Sequence, residues 1–406
     1  MSAGVEPEQD QLSIMTGAPP FSAEALVTLE NWQRPPYNRW AFQHVRELIP
    51  TARISRGDGP IWQLPRAEEN LDEIRFATQS GESTVSGLLL RTYTDGFLVI
   101  HRGTILAEQY FNGLRPDTPH LLMSVSKSVT GLVAGALAGR GVLDVTAPVE
   151  SIVPELAGTS FTGARIQHLL DMRTGTRFVE NNDDPDSEIA VSDRVYLWRP
   201  DEGKPVPACG TEYFATLTND GRHGGPFRYR SILTDVLAWV LEKAGGARFA
   251  DLVSQELWQP MGAEYDAEIT VDAHGNALAD GGISATLRDA GRVGLLALRR
   301  GRGQQTQVIP AAWLDDTITG APDGSLAFRT GEVAADYPLG THYRNCWWVT
   351  APGLPQFNAS GIHGQHIFVH APSQTVVVKL SSWPDALSDP MRRATIAAVR
   401  AITERL

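Results

Sequence analysis

Apolar residues recur in two rhythms along the chain, and the rhythms divide it into regions. Residues 96–111, GFLVIHRGTILAEQYF, hold two apolar runs on either side of Arg102-Gly103, the pattern of a β-hairpin. Apolar and small residues at helical spacing follow over 123–139 and stop at Gly139 and Gly141, which predicts a helix. From 145 to about 285 the spacing stays mostly helical between long polar loops. ARIQHLLDM and ILTDVLAWVLEKAGG are the clearest helices there, the second closed by Gly245 and Gly246. LRDAGRVGLLALRRGRG predicts another. The last 65 residues turn to strand patterns in RNCWWVTA, QHIFVHA and TVVVKLSS, and DPMRRATIAAVRAITERL closes the chain as a helix. No internal repeat or low-complexity tract interrupts this order.

Strands near both ends with helices between them predict an α+β fold, an antiparallel sheet flanked by helices with an inserted helical lobe. The expected divisions follow. Residues 1–90, rich in Pro, Arg and acidic residues with short periodic pieces such as RWAFQHVRELIP, form an arm packed on the body. Residues 91–145 and 286–406 form the sheet domain, and 146–285 form the lobe. A chain of 406 residues buries a large core without covalent staples.

A hydrophobic share of 42% and a charged share of 20% are those of an ordinary globular protein. The net charge of −12, with no basic cluster among aromatics, argues against nucleic acid as a partner. Nowhere do 18 apolar residues run together, so no membrane-spanning helix is expected. MSAGVEPEQDQLSIMTGAPPF has neither a basic start nor an apolar centre and does not read as a signal peptide. Cys209 and Cys346 are too few for a disulfide framework, and two free thiols fit a reducing, cytoplasmic setting.

Of 35 basic residues only four are lysines, Lys127, Lys204, Lys243 and Lys379. Lys127 stands three positions after Ser124 in LLMSVSKSVTG, so on a helix the two share a face, Cβ atoms roughly 5–6 Å apart. Two readings are open: a helix cap beside a surface charge, or a nucleophile beside its base. Serine is a weak nucleophile without a base. Lysine serves as that base only when burial lowers its pKa, and arginine cannot serve at all. A helix N-terminus adds free N–H groups for a developing oxyanion.

Tyr229 and Ser231, in FRYRSILTD, end a loop directly before a helix. Ser231 suits an N-cap, while Tyr229 either packs or places a phenol between the Ser–Lys pair and a leaving group. NASGIHGQHIFVH leads small residues into a strand whose edge offers another backbone N–H. Its histidines at 363, 366 and 370 do not share one strand face, and no HExxH occurs, so no metal is expected. No G-x-S-x-G elbow, P-loop or strand-borne G-x-G-x-x-G is present, and no cofactor is expected.

In order and spacing, SVSK, YRS and the small-residue strand resemble the penicillin-recognising serine hydrolase superfamily, with its S-x-x-K and Y-x-N or Y-x-S motifs. NWQRPPYNRWAF, LLMSVSKS, VPELAG, DGGISATLRDAGRVG, GIHGQ and VVVKLSSWPD extend the match nearly end to end. Together they resemble the 6-aminohexanoate-dimer hydrolase (nylon-oligomer hydrolase) family and its esterase relatives. The resemblance implies a β-lactamase/transpeptidase-like fold. It also implies hydrolysis of carboxylic esters, and of short linear amides such as 6-aminohexanoate oligomers, through an acyl-enzyme. In that reading Ser124 is the nucleophile, Lys127 its base and Tyr229 the proton donor to the leaving group, supported by Ser231. The oxyanion would lie between the backbone N–H groups of Ser124 and Ile362.

Departures bear on the substrate. Ala359-Ser360-Gly361 stands where β-lactam-processing relatives have Lys-Thr-Gly, so the lysine that holds a β-lactam carboxylate is missing. Asn182, in FVENNDDPDSE, takes the place of a family tyrosine that assists amide cleavage. Asp193 matches an acidic pocket position, and Asp280 stands where the family has an amide side chain. These three and His363 are expected to line the substrate pocket, where two carboxylates favour a cationic substrate end. The expected partner is a small ester or amide, with a homodimer left open. The alternative class is a non-catalytic ligand-binding or sensor protein of the same fold. Intact Lys127 and Tyr229 weigh against it, since a pure binder needs no base. If Lys127 must exchange a proton, Lys127→Arg will cost ester hydrolysis nearly as much as Lys127→Ala. Substantial recovery of the rate by arginine would reduce the role to electrostatics.

Overall fold

The computed structural model describes residues 14–79, 81–181, 184–351 and 356–406. Its strands begin with β1 (Thr51–Ile54), β2 (Arg75–Thr78), β3 (Gly81–Thr84), β4 (Thr94–His101), β5 (Thr104–Tyr110) and β6 (His120–Leu121). Midway come β7 (Ala267–Thr270) and β8 (Ile283–Ala285). The C-terminal set is β9 (His342–Arg344), β10 (Trp347–Ala351), β11 (Gln356–Gly361), β12 (Gln365–His370) and β13 (Thr375–Ser381). A seven-stranded antiparallel sheet runs in the order β5-β4-β13-β12-β11-β10-β9. The first and last regions of the chain therefore meet at the β4–β13 pair, as the pattern of strands at both ends predicted.

Both faces of this sheet are covered, which is why its central strands read as continuous apolar runs. Leu98 and Ile100 of β4 face the helix Leu287–Leu298 and join the main core. Phe97 and Val99 face the other way, into a second core with the helices Val85–Arg91 and Asp389–Arg405. The Leu287 helix lies flat on the sheet because of its glycines. A β-carbon at Gly294 would stand 2.5 Å from Val376 and 2.9 Å from Ile367.

A smaller sheet, β1-β7-β8-β6, was not expected. β7 and β8 fall inside the region read as helical, and AEIT and ISA are too short to display a period. The N-terminal segment is built into this part of the molecule, with β1 hydrogen-bonded to β7 and Trp32 donating its indole N–H to the Trp198 carbonyl at 2.9 Å. RNCWWVTA is two strands, not one, because Asn345 and Cys346 at φ 50° and 65° turn the chain between β9 and β10.

One of the four lysines lies inside the large sheet. Lys379 of β13 is 1% exposed, donates to the Thr92 carbonyl at 3.3 Å and to Ser381 Oγ, and sits 5.5 Å from the Trp383 ring centroid. Burial lowers its pKa to about 7, with Asp95 pulling the other way. An unfolded lysine titrates near 10.4, so between these values the unfolded chain binds the extra proton and stability rises with pH. The burden is full below the folded pKa and gone above the unfolded one. Lys379→Met is expected to raise stability by up to about 4 kcal/mol at pH 6.5 and by much less at pH 9.5, measured by chemical denaturation. Equal gains at the two pH values would show that Lys379 is not held as a strained cation.

Candidate active site

β6 carries the chain into the site. It pairs with β8, and Leu122 N–H donates to the Ile283 carbonyl at 2.8 Å. Met123 then takes φ 48°, a strained value for a side chain of its size, and Ser124 follows at the start of the helix Val125–Gly139. Ser124 occupies the N-cap position, yet its hydroxyl caps nothing. Instead Lys127 Nζ donates to Ser124 Oγ at 3.0 Å. Lys127 is 1% exposed. The cap-and-surface-charge reading is excluded on both counts.

Lys127 also donates to the Asp280 carbonyl at 2.8 Å, and Asp280 Oδ2 is 3.7 Å from its nitrogen. Asp280 is anchored in turn: its N–H donates to Asp235 Oδ1 at 2.9 Å, and Asp235 is buried in the helix Ile232–Gly245. Asp235 Oδ2 has no partner among the described residues. Burial, and then the neighbouring Asp280, push the Asp235 carboxyl well above the ordinary carboxylate range. Asp235 was missed in the sequence because ILTDVLAWVLEKAGG shows it only as one polar residue in an apolar helix.

The expected downward shift of Lys127 is corrected by these neighbours. Burial is the largest influence and lowers its pKa, but Tyr229, Asp280, Glu180 and Asp235 together outweigh it, and the ammonium is held above its ordinary value. The direction favours the ammonium over the amine in the free protein.

Tyr229 lies against Ser124 and Lys127, its ring centroid 5.2 Å from Lys127 Nζ. Burial raises its phenol and Lys127 draws it back. The ring stacks on Trp348 at 5.6 Å, and Trp348 stacks on Tyr337 at 5.1 Å. Ser231 begins the next helix without capping it; its N–H goes to Glu180 Oε1. Glu180 retains exposed surface and was also missed, being one acid among several in a polar loop.

β11 brings the second edge. A β-carbon at Gly361 would stand 2.8 Å from the Leu122 carbonyl and 3.0 Å from Ser124 N, so only glycine lets this strand end close on the serine. Ile362 comes next, in the short turn Ile362–Gly364. Gln365 clamps that turn, accepting from Ser381 N–H at 3.0 Å and donating to the carbonyls of Ser381 at 2.6 Å and His363 at 3.2 Å. His363 itself, expected in the pocket, is 3% exposed at φ 57°. Its Nδ1 lies 2.8 Å from the Trp383 carbonyl and its ring packs against Phe42. Packed into the protein, it supports the turn and is not a pocket wall.

The remaining pocket residues divide. Asp280 is at the site, its side chain 11% exposed. Asp193 is ion-paired with Arg199 at 2.8 Å, yet burial raises its pKa to about 6, with Asp280 and Glu180 adding to the rise. Asn182 lies outside the described residues. Among the described residues no group of three or more His, Cys, Asp and Glu side chains is placed to hold a metal ion. Both cysteines are buried and free, and among the described residues no helix is long and apolar enough to cross a membrane.

A helix-borne serine joined to a buried lysine and a tyrosine, with two strand and helix ends converging on it, has clear relatives. The family model described as Beta-lactamase matches residues 90–401. A 6-aminohexanoate-dimer hydrolase of Paenarthrobacter ureafaciens is 38% identical over 372 residues, covering 90% of this chain and 91% of its own. Among solved structures, a Bacillus anthracis protein provisionally assigned as a 6-aminohexanoate-dimer hydrolase superposes with a TM-score of 0.85 at 25% identity, covering 93% of this chain and 97% of that one. A family VIII carboxylesterase shares the fold at 16% identity and a TM-score of 0.57, over 76% of this chain and 92% of its own. The chain belongs to the beta-lactamase family, and it is a serine hydrolase.

Proposed function

We propose that the protein hydrolyses short carboxylic esters, and more slowly short linear amides such as 6-aminohexanoate oligomers, through an acyl-enzyme on Ser124. The observation that carries this reading is the Lys127 Nζ to Ser124 Oγ hydrogen bond of 3.0 Å, with the Tyr229 ring 5.2 Å from the same nitrogen. Once Lys127 has lost its proton, it takes the hydroxyl proton as Ser124 Oγ attacks the substrate carbonyl carbon. The backbone N–H groups of Ser124 and Ile362 receive the oxyanion. The proton then passes by way of Tyr229 to the leaving oxygen or nitrogen, the C–O or C–N bond breaks, and the acyl-enzyme remains. Water repeats the sequence and releases the acid.

Esters come first because an alkoxide departs more readily than an amide nitrogen, which must be protonated as the intermediate collapses. Asn182 in place of the family's tyrosine leaves Tyr229 as the proton donor. β-Lactams are poor candidates, since Ala359 on β11 offers no cation for their carboxylate. Glu180, Asp193 and Asp280 instead surround the site with negative charge, which suits a substrate with a cationic end. The two buried free thiols support a cytoplasmic setting.

The test is labelling and turnover. A fluorophosphonate is expected to modify Ser124, as read by mass spectrometry of the digested protein. p-Nitrophenyl butyrate should turn over many times per chain, faster than a matched anilide. Ser124→Ala should lose several orders of magnitude in kcat while melting as the parent does. A single acyl group per chain with no turnover, or label on another serine, would overturn the assignment.

A further inference from the structure

Lys127 raises a difficulty that the site itself must resolve. A buried ammonium hydrogen-bonded to Ser124 cannot accept the serine proton, yet nothing on its own helix keeps it charged. The groups that face it come from other segments. Asp280 approaches from the β7–β8 connection, Asp235 from the Ile232 helix, Tyr229 from the loop before that helix, and Glu180 from the loop that reaches Ser231. The β9–β10 turn contributes Cys346, whose thiol burial keeps neutral. β11 contributes the uncharged Ala359.

Asp280 differs from the rest of this group. Its main chain is fixed at both ends, N–H on Asp235 and carbonyl on Lys127, but among the described residues its carboxylate accepts no hydrogen bond. Lys127 at 3.7 Å is its sole ion partner among them. The carboxylate oxygens are also not fully enclosed, since the side chain keeps 11% of its surface. A buried carboxylate with so few partners is open to exchanging the one it has.

We propose that the Asp280 carboxylate is a substrate-released lock on Lys127: a cationic group of the substrate takes over the carboxylate, the Lys127 ammonium releases a proton to solvent, and the neutral amine becomes the base for Ser124. This deepens the proposed acyl-enzyme reading and rests on it. The driving force is already present in the site. Of all the influences on Lys127, burial is the largest and favours the neutral amine; the Tyr229 phenol and the carboxyl groups of Asp280, Glu180 and Asp235 act against it. Cancelling part of that negative field leaves burial to act. Arg199 and Arg230 are already committed, to Asp193 and to Glu332, so the cation has to arrive with the substrate. Specificity and activation thus share one carboxylate, and a neutral substrate of equal shape binds without unlocking the base.

The experiment compares p-nitrophenyl esters of 6-aminohexanoate and heptanoate, alike in length but for the terminal ammonium, across pH 5–9. In the intact enzyme the ascending limb of kcat should lie at least one pH unit lower for the cationic ester. In Asp280→Asn the neutral ester's limb should move down and the cationic ester's kcat/KM should fall at least tenfold, so the two substrates respond in opposite directions. A second reading uses the Ser124→Ala protein with 6-aminohexanamide as ligand. Calorimetry in buffers of different ionisation enthalpy should show net proton release on binding, absent with hexanamide. Coincident limbs for the two esters in the intact enzyme, or no proton release, would overturn the lock. Fluorophosphonate label on Ser124 with repeated turnover in those same preparations keeps the acyl-enzyme reading standing, so the two failures are told apart.

Discussion

The structure depends on one ammonium held between a serine hydroxyl and a carbonyl. Lys127 cannot leave this position, because the helix that carries it is packed on the sheet and on the Ile232 helix over nearly its whole length. A cation in such a place costs several kcal/mol unless polar groups and charges surround it. The chain meets that requirement from three distant segments, around positions 180, 229–235 and 280. Each of those segments is in turn held by a main-chain hydrogen bond to one of the acids: Ser231 N–H on Glu180, Asp280 N–H on Asp235. Charge compensation and backbone placement are the same contacts, so removing an acid here disturbs geometry as well as field.

The second edge of the site follows a different logic, built from neutral hydrogen bonds. The turn after β11 holds His363 in a left-handed conformation and depends on the end of β13 for its shape. Gln365 bridges to both polar groups of the Ser381 backbone, and Asn38, far away in sequence, donates to the Trp383 carbonyl at 2.9 Å. The N-terminal segment therefore reaches the site through the turn it helps to fix. Lys379 beneath Ser381 adds a buried amine whose titration lies near neutrality, under the turn and apart from the reacting groups.

Local pattern and local spacing were legible in the sequence. The β4–β5 hairpin, the Ser124 helix, the Ile232 helix with its left-handed Gly246, and the closing helix all lie where periodicity and glycines placed them. The Ser124–Lys127 contact follows from i, i+3 spacing alone. What failed depended on partners far along the chain. The two- to four-residue strands of the small sheet have no period to read, and β7 pairs with β1, more than 200 residues before it. The charge state of Lys127 is a sum over three distant segments, so burial alone, the one influence inferable from an apolar helix, gave the wrong sign. His363 looked like a pocket residue because its motif lies beside the site, yet its left-handed φ turns the ring toward Phe42.

The cleft's chemistry is consequently asymmetric in a way that bears on substrate choice. On the β11 side, Ala359 carries no charge to meet an acid-bearing ligand. On the opposite side stand Glu180 and Asp280, with Asp193 ion-paired to Arg199. Behind the phenol, Tyr229 stacks on the buried Trp348, which stacks on Tyr337 in turn, so packed rings hold the hydroxyl in place. In the proposed reading, a molecule with a carbonyl at one end and a positive charge at the other suits these surroundings, and a free carboxylate near the scissile bond does not. If the proposed lock holds, the Asp280 carboxylate that selects the charge also bears on Lys127, and selectivity is exerted on the rate of proton transfer as well as on binding.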